Sequence, residues 1–530
     1  MKEIFTTIKS KTYLAGLLLM AICLPLSESF VSISTGILLF GWLIEGKWKT
    51  KLMRLKEDRS LILVLSIFFV YLIGMFFTHD LKVALYDLRK NIFILILPLI
   101  IATSIINRKT LWKILGCFVL SVNVASILSL LKLFFREKYN IENIWEITYI
   151  SHIRFSFQLI LAIAIIGYYL YLTYKTNKNW YRKLLWVNMI FLVGFLLLLK
   201  SLIGIISFIG TGLYLILFIA SKSHSLKLKR ILLSSVILLV ISCTGYLSWC
   251  VYRFYDVEDI HPEQLEKYTV NGNPYSHNLN DKQIENGHYV YLYICNKELE
   301  KTWNQRSSYD INAINVNGFR IYKTLIRYLT SKGLRKDSMG IASLSDQDIH
   351  NIEQGIANHI HVNRFSSLYP RIYNTLWEID VYLRTGDPNY MSLAQRIEFL
   401  KAAITIIKDR PILGVGTGNW KKAFTVAYEK NGSLLRKELY SSSHNQYLNY
   451  MVKFGILGFC WIMFCWISPV FFRNRKNHFL LLVLLVSIGI SNLGDSNLES
   501  HMGLSFFSFF YCLFVWAENI SINSSNVSSS

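Results

Sequence analysis

The chain has 530 residues, of which 53% are hydrophobic, 15% aromatic and only 17% charged. An ordinary soluble chain carries about a quarter charged residues, so this composition does not fit a soluble globular protein. The net charge of +22 invites a nucleic-acid partner. The lysines and arginines, however, crowd into short loops between apolar blocks, as in cytoplasmic loops of membrane proteins and sites that meet anionic head groups. Nucleic acid is therefore set aside as a partner, and the lipid bilayer takes its place.

The apolar blocks lie at 12–26, 29–44, 61–77, 91–106, 114–135, 155–174, 184–199, 202–220, 231–250, 446–468, 479–494 and 502–517. Many run for roughly 17 to 22 residues without a charge, enough to cross a hydrocarbon core of about 30 Å as a helix. The sequence thus predicts an all-α polytopic membrane protein with about twelve spans. Its N-terminus, Lys2 to Lys11 before the first block, is like a signal peptide. No A-x-A-like site follows, so it reads as a retained first helix. Ser27 and Glu28 alone separate the first two blocks, which makes them a tight hairpin.

Lys47, Lys49, Lys51, Arg54, Lys56 and Arg59 follow, the strongest cytoplasmic signal in the chain. Lys175, Lys178, Arg182 and Lys183 repeat it, as do Lys222, Lys227, Lys229 and Arg230. Alternation of sides then puts both termini in the cytoplasm. Residues 1–250 hold spans one to nine, 251–443 form a large extracytoplasmic domain, and 444–518 hold spans ten to twelve. The Ser/Asn-rich tail 519–530 reads as disordered and cytoplasmic. A connection as long as 251–443 is usually functional. Its apolar spacing at 314–336, 371–385 and 392–409 follows the helical period of 3.6, so the domain reads as mainly helical. Arg320, Arg327 and Arg335 lie off the apolar face, where a phosphate is one partner open to them.

Charged groups of interest gather at the extracytoplasmic ends of the blocks. Arg89 lies in an amphipathic loop at 78–90, where basic residues either snorkel or meet a specific partner. Arg154 stands at the mouth of the sixth block. Lys200 occupies a very short turn between blocks seven and eight, where it either reaches the interface or faces an anion. His444 follows three serines at the entrance to block ten. It is either part of a polar helix cap or a base within reach of both a lipid-borne and a water-soluble substrate. Fixed cations suit a diphosphate and lower the barrier as its negative charge develops on departure. A neutral histidine takes a proton from a hydroxyl near working pH. Together these groups describe glycosyl transfer from a lipid diphosphate to an alcohol.

No metal or cofactor is predicted. Eight cysteines without a CxxC spacing give neither a zinc site nor a disulfide framework. Asp346-Gln347-Asp348 matches the short DxD of metal-dependent glycosyltransferases. Ser345 before it reads instead as an N-cap with acidic residues in the first helical turn. Gly414-Val415-Gly416-Thr417-Gly418 lacks the spacing of a phosphate-binding loop and reads as a tight, conformationally unusual turn.

Three segments carry a resemblance. Arg396-Ile397-Glu398-Phe399-Leu400 has the form R-x3-L. Pro411 to Gly418 and Asn419 has the form P-x-x-G-x-G. His444, followed by Asn445 and by Gly455, has the form H-x10-G. In these segments and in the placing of the large loop, the chain resembles the O-antigen ligase and polymerase superfamily, most nearly its Bacteroidetes ligases. The resemblance implies a GT-C-type, inverting, metal-independent glycosyltransferase of the bacterial inner membrane with its site facing the periplasm. The implied donor is an undecaprenyl diphosphate-linked glycan and the implied acceptor is lipid A-core. By motif, His444 is then the base and Arg396 holds the diphosphate with Lys200, Arg89 and Arg154. Leu400, Gly414, Gly416, Gly418, Asn445 and Gly455 are motif positions. The chain departs from the family at Lys200-Ser201-Leu202, where a Ser-Arg pair is expected. A polymerase and a protein O-oligosaccharyltransferase share these motifs, and a lipid-linked sugar transporter is the non-enzyme alternative.

Overall fold

The computed structural model describes residues 2–139, 141, 144–174, 179–316, 318–362, 368–476 and 478–518. Lys175, Lys178 and the tail from 519 lie outside the described residues. The chain divides into two compact units, Met1–Leu233 with Gln395–Ser530, and Ser234–Ala394. Residues 395–443 therefore group with the apolar helices.

Each of the twelve apolar blocks is a helix. In chain order the first part of the chain gives α1 Lys2–Cys23, α2 Glu28–Glu45, α3 Trp48–Glu57, α4 Arg59–Met75, α5 Leu81–Asn91, α6 Phe93–Thr103, α7 Arg108–Phe134, α8 His152–Leu172, α9 Asn179–Leu198, α10 Leu202–Lys222 and α11 Leu226–Tyr255. Among the described residues seven helices are long and apolar enough to span a bilayer, namely α2, α7 to α11 and the later helix Gln446–Phe472. The bent pair α3 and α4, which turns through 85°, makes up to eight. Twelve apolar blocks therefore do not translate into twelve full-length spans. The 11 residues of α6 rise about 16 Å at 1.5 Å each, well short of the core thickness. The bend at Asp58 comes from capping. The Asp58 carboxylate accepts the Ser60 and Leu61 N–H groups and so starts α4 afresh. The predicted hairpin of α1 and α2 packs closely. A side chain at Gly16 would strike the Leu38 backbone, and one at Gly41 would strike that of Tyr13, which is how small residues bring membrane helices together.

The second unit is mainly helical. A short hairpin, β1 Ile284–Glu285 with β2 His288–Tyr289, precedes α12 Asn296–Arg306, α13 Ile321–Ser331, α14 Ser338–Ala342, α15 Asp346–Glu353 and α16 Tyr369–Thr385. Its core holds Val290, Leu299, Trp303, Leu325, Leu329 and Ile352. Of the arginines read as open to a phosphate, Arg327 and Arg335 take carboxylate partners in their own unit, as does Arg306. Arg327 pairs with the buried Glu285 at 2.6 Å, Arg306 with Asp346 at 2.9 Å and Arg335 with Glu266 at 2.8 Å. The Asp346-Gln347-Asp348 stretch is a helix start, as its neighbour Ser345 predicts. Ser345 and Asp348 form a reciprocal capping box, and Asp348 also accepts from Lys332 Nζ at 2.7 Å and Tyr328 OH at 2.6 Å.

The remaining elements are α17 Ser392–Asp409, α18 Trp420–Lys430, α19 Gln446–Phe472, α20 Phe479–Ser491 and α21 His501–Trp516. From Met502 to Val515 every residue of α21 is buried, so α21 is the central strut of the helical unit.

Candidate functional site

The three motif segments meet in the helical unit. Gly455 interrupts α19 with φ 63° and ψ −170°, a backbone region open to glycine at little cost. That break frees backbone groups of α19 to pair with the segment at 411–418. Val415 N–H donates to Val452 O at 2.9 Å, Gly416 N–H to Lys453 O at 2.8 Å and Ile456 N–H to Pro411 O at 2.8 Å. Gly414, at φ 67°, lies against the Lys453–Gly455 backbone, and Gly416, at φ 88°, lies against Gly74 O. Gly418 is pressed onto the Asp80 carbonyl, and Thr417 donates from its hydroxyl to Tyr71 O at 2.7 Å. Asn419 completes the clasp by donating to Phe77 O at 2.7 Å. The glycine segment is thus a backbone clasp between α19 and the end of α4, in keeping with the unusual turn read from the sequence.

The clasp fixes α19, and His444 stands just before that helix. Asn445 caps α19 by accepting from Tyr447 and Leu448 N–H, and its own amide donates to Leu493 O at 3.0 Å. Gln446 N–H donates to Asn492 O at 2.9 Å. These contacts bring the loop after α20 beside His444, which takes φ 48°. This is an uncommon conformation for a residue with a side chain.

His444 Nδ1 lies 3.2 Å from Asp495 Oδ1 and its Nε2 lies 3.2 Å from Ser441 Oγ. The ring stacks on Phe399 with centroids 5.3 Å apart and planes at 24°. Burial alone would raise the Asp495 carboxyl, but the hydrogen bond and charge of His444, the charge of Arg154 and the Ser496 N–H hold it below the usual range. An ionised carboxylate only accepts, so Nδ1 carries the proton and donates it to Asp495. The Nε2 lone pair then accepts from the Ser441 hydroxyl. The serines also fix the segment before α19. Ser441 O accepts from Tyr428 OH at 2.7 Å, and Ser443 Oγ donates to Asn449 Oδ1 at 2.7 Å.

The loop after α20 also gathers cations. Arg396 and Phe399 lie three residues apart on α17, on one face, and Arg396 Nη1 donates to Gly494 O at 3.0 Å. Leu400 is partly exposed. Arg154, near the start of α8, has a buried Nε without a hydrogen-bond partner among the described residues. Lys200, at φ 48°, precedes Ser201, whose side chain caps α10. Ile203 packs against Gly494, and Gly204 against Ser156 of α8. The starts of α8 and α10 thus abut the segment that carries Asp495. Arg89 is exposed on α5 and makes no hydrogen bond or ion pair with this group among the described residues.

A second charged cluster lies beneath the first. Lys453, buried on α19, donates to Asp87 Oδ2 and Glu499 Oε2, both at 2.7 Å. Lys90 Nζ donates to Glu499 O at 3.1 Å, and Trp420 Nε1 to Asp87 at 3.0 Å. Sequence reasoning attached no role to Asp495, Ser441, Phe399 or this cluster. A charge inside an apolar block, as at Lys453, was the available signal.

A histidine with its Nε2 lone pair on a hydroxyl is arranged to accept a proton, and Arg396 and Arg154 bring positive charge to the same loop. Residues 354–463 match the family model described as O-antigen ligase, a stretch that takes in Arg396, the glycine clasp, His444 and Gly455. An uncharacterized protein of Haemophilus influenzae is 30% identical over 116 residues, which are 21% of this chain and 29% of that relative. The chain thus matches under a third of that relative's length. The family match supports a ligase- or polymerase-type role for the segment that holds His444. This is thus a polytopic membrane protein with many apolar helices, and its segment 354–463 is similar to the O-antigen ligase family.

Proposed function

We propose that the chain moves a glycan from undecaprenyl diphosphate to a hydroxyl of lipid A-core at the periplasmic face of the inner membrane, with both termini cytoplasmic. The observation that carries this reading is His444 held between Asp495 and Ser441. The acceptor hydroxyl takes the place of the Ser441 hydroxyl at Nε2 and attacks the anomeric carbon. Its proton passes to Nε2 as the new C–O bond forms. The bond from the anomeric carbon to the diphosphate breaks with its electron pair, and the configuration inverts. Asp495 orients the ring and stabilises the imidazolium. Arg396, Lys200 and Arg154 receive the charge that builds on the diphosphate. Arg89 joins them as an outer contact. This assigns charge neutralisation to side chains rather than to a metal.

Transfer from a defined lipid diphosphate glycan to purified core acceptor, with chelator present, tests the proposal. The wild-type chain transfers the glycan and the His444→Ala chain inserts normally but does not. Polymer-capped lipopolysaccharide in a strain that carries only His444→Ala would overturn it. In a deletion strain, unligated lipid-linked polymer marks a ligase, core with a single repeat marks a polymerase, and loss of protein glycans alone marks a protein glycosyltransferase.

A further inference from the structure

The second unit holds a cavity of its own, of about 160 Å³. That is room for about five waters at ~30 Å³ each, or for one sugar-sized group. Its walls come from the 258–265 segment, the hairpin end at 288–293 and the turn at 330–336. Lys336 lines it while only 3% of the residue is exposed. Its ammonium donates to Tyr289 O at 3.1 Å, which is its single hydrogen bond among the described residues.

A buried ammonium with one neutral acceptor is costly. The fold nonetheless enforces it, because Lys336 N–H donates to Tyr293 O at 3.0 Å and its carbonyl accepts from Cys295 N–H at 2.8 Å. Tyr293 is itself held at φ 55°, and Arg335 lies 3.4 Å from its ring centroid. Strain and a buried ammonium with a single neutral hydrogen-bond acceptor at one cavity are the marks of a site built for a ligand. Beside Lys336, His288 Nδ1 is 2.9 Å from Glu258. That pair brings both a donor and an acceptor to the rim. The rings of Tyr289 and Tyr293 add apolar surface.

We propose that this cavity binds a sugar unit bearing an acidic group, with the acid at Lys336 and the hydroxyls at His288 and Glu258. The choice of a glycan rests on the proposed function; the requirement for an anion rests on Lys336 alone. Burial first, and then the charge of Arg335, push the Lys336 ammonium down to about 7, against the pull of Glu258. A bound anion restores the charged form, so binding takes up a proton and weakens as pH rises through 7. Glu258, Asp259, His261, His288 and Arg335 face the same space and set the background of that titration.

The test is binding of D-glucuronate to the full-length protein in detergent, by saturation-transfer NMR and calorimetry, with D-glucose and glucose 6-phosphate as comparison probes. Glucuronate or the phosphate is expected to bind at least tenfold more tightly than glucose, and the stronger of the two identifies the acid. Lys336→Met is expected to abolish that preference while raising the melting temperature, because a buried ammonium gives way to an apolar isostere. His288→Gln is expected to weaken both acids and glucose alike. Equal binding of glucose and both acids, or an unchanged preference in Lys336→Met, overturns the proposal. His444→Ala separates the two readings. If it loses transfer while the preference for acid proves independent of Lys336, the cavity proposal alone fails. If it transfers normally while the acid still needs Lys336, the transfer reading alone fails.

Discussion

His444 and Asp495 stand 51 residues apart in the chain, yet Nδ1 of one lies 3.2 Å from Oδ1 of the other. The contact fixes which ring nitrogen holds the proton, and so which one is left to act as a base. Asp495→Asn removes the charge and keeps the shape. Transfer is expected to fall on the order of 100-fold or more in kcat, with little change in KM. Because the Asp495 carboxyl is held below its ordinary value, its contribution is complete above the ordinary aspartate range and fades only as pH falls beneath that range. The acid limb of the wild-type pH profile near neutrality is therefore not that of Asp495. Steady-state kinetics across pH check both statements.

Arg396 offers a planar fork and is anchored by one nitrogen to Gly494 O. Among the described residues its remaining donors make no hydrogen bond or ion pair, and the proposed function assigns them to substrate. Arg396→Ala is expected to cost about 100- to 1000-fold in kcat, the scale of losing one donor to a developing anion. Arg396→Lys keeps the charge but loses the fork, so it should recover only part of the rate. Kinetics with the lipid diphosphate donor distinguish the two. Equal rates for alanine and lysine would show that charge at this position is irrelevant.

Gly455→Ala places a methyl group against the Ile412 carbonyl at a backbone angle that disfavours any side chain. The conformation alone costs about 1–3 kcal/mol, and the collision adds to it. A marked drop in melting temperature is expected in detergent. Gly116→Ala on α7, where an added methyl meets no atom within 4 Å, serves as the control and should leave the melting temperature almost unchanged.

Lys453→Met removes the cation 2.7 Å from both Asp87 and Glu499 and leaves only Lys90 between them, at 3.2 and 4.0 Å. Breaking a buried ion pair from one side costs on the order of 3–5 kcal/mol. The expected result is a large loss of thermal stability. Transfer should fall as well, since Glu499 belongs to the same loop as Asp495. Adding Asp87→Asn to Lys453→Met removes one stranded charge and should restore part of the stability, which a thermal melt of the double variant reads directly.

Local information was enough for much of this protein. Apolar run length and the placing of basic residues carried the helices, because a lipid-facing helix satisfies its own backbone within one segment. The glycines at 414–418 marked an unusual turn, a short-range feature, and Ser345 marked the start of α15 for the same reason. His444 and Gly455 stood out only through a family motif, and the helix break at Gly455 was not legible. Tertiary structure decided the rest. It matched Asp495 to His444 and put Ser441 on Nε2. It turned Lys453 from a stray charge in an apolar run into the centre of an ion cluster. It gave Arg327 and Arg335 carboxylate partners and shortened α6 below the width of a bilayer core. Each of these depends on which distant segment arrives beside a residue, and burial sets how strongly the pair then interacts. No periodicity or spacing along the chain encodes either quantity.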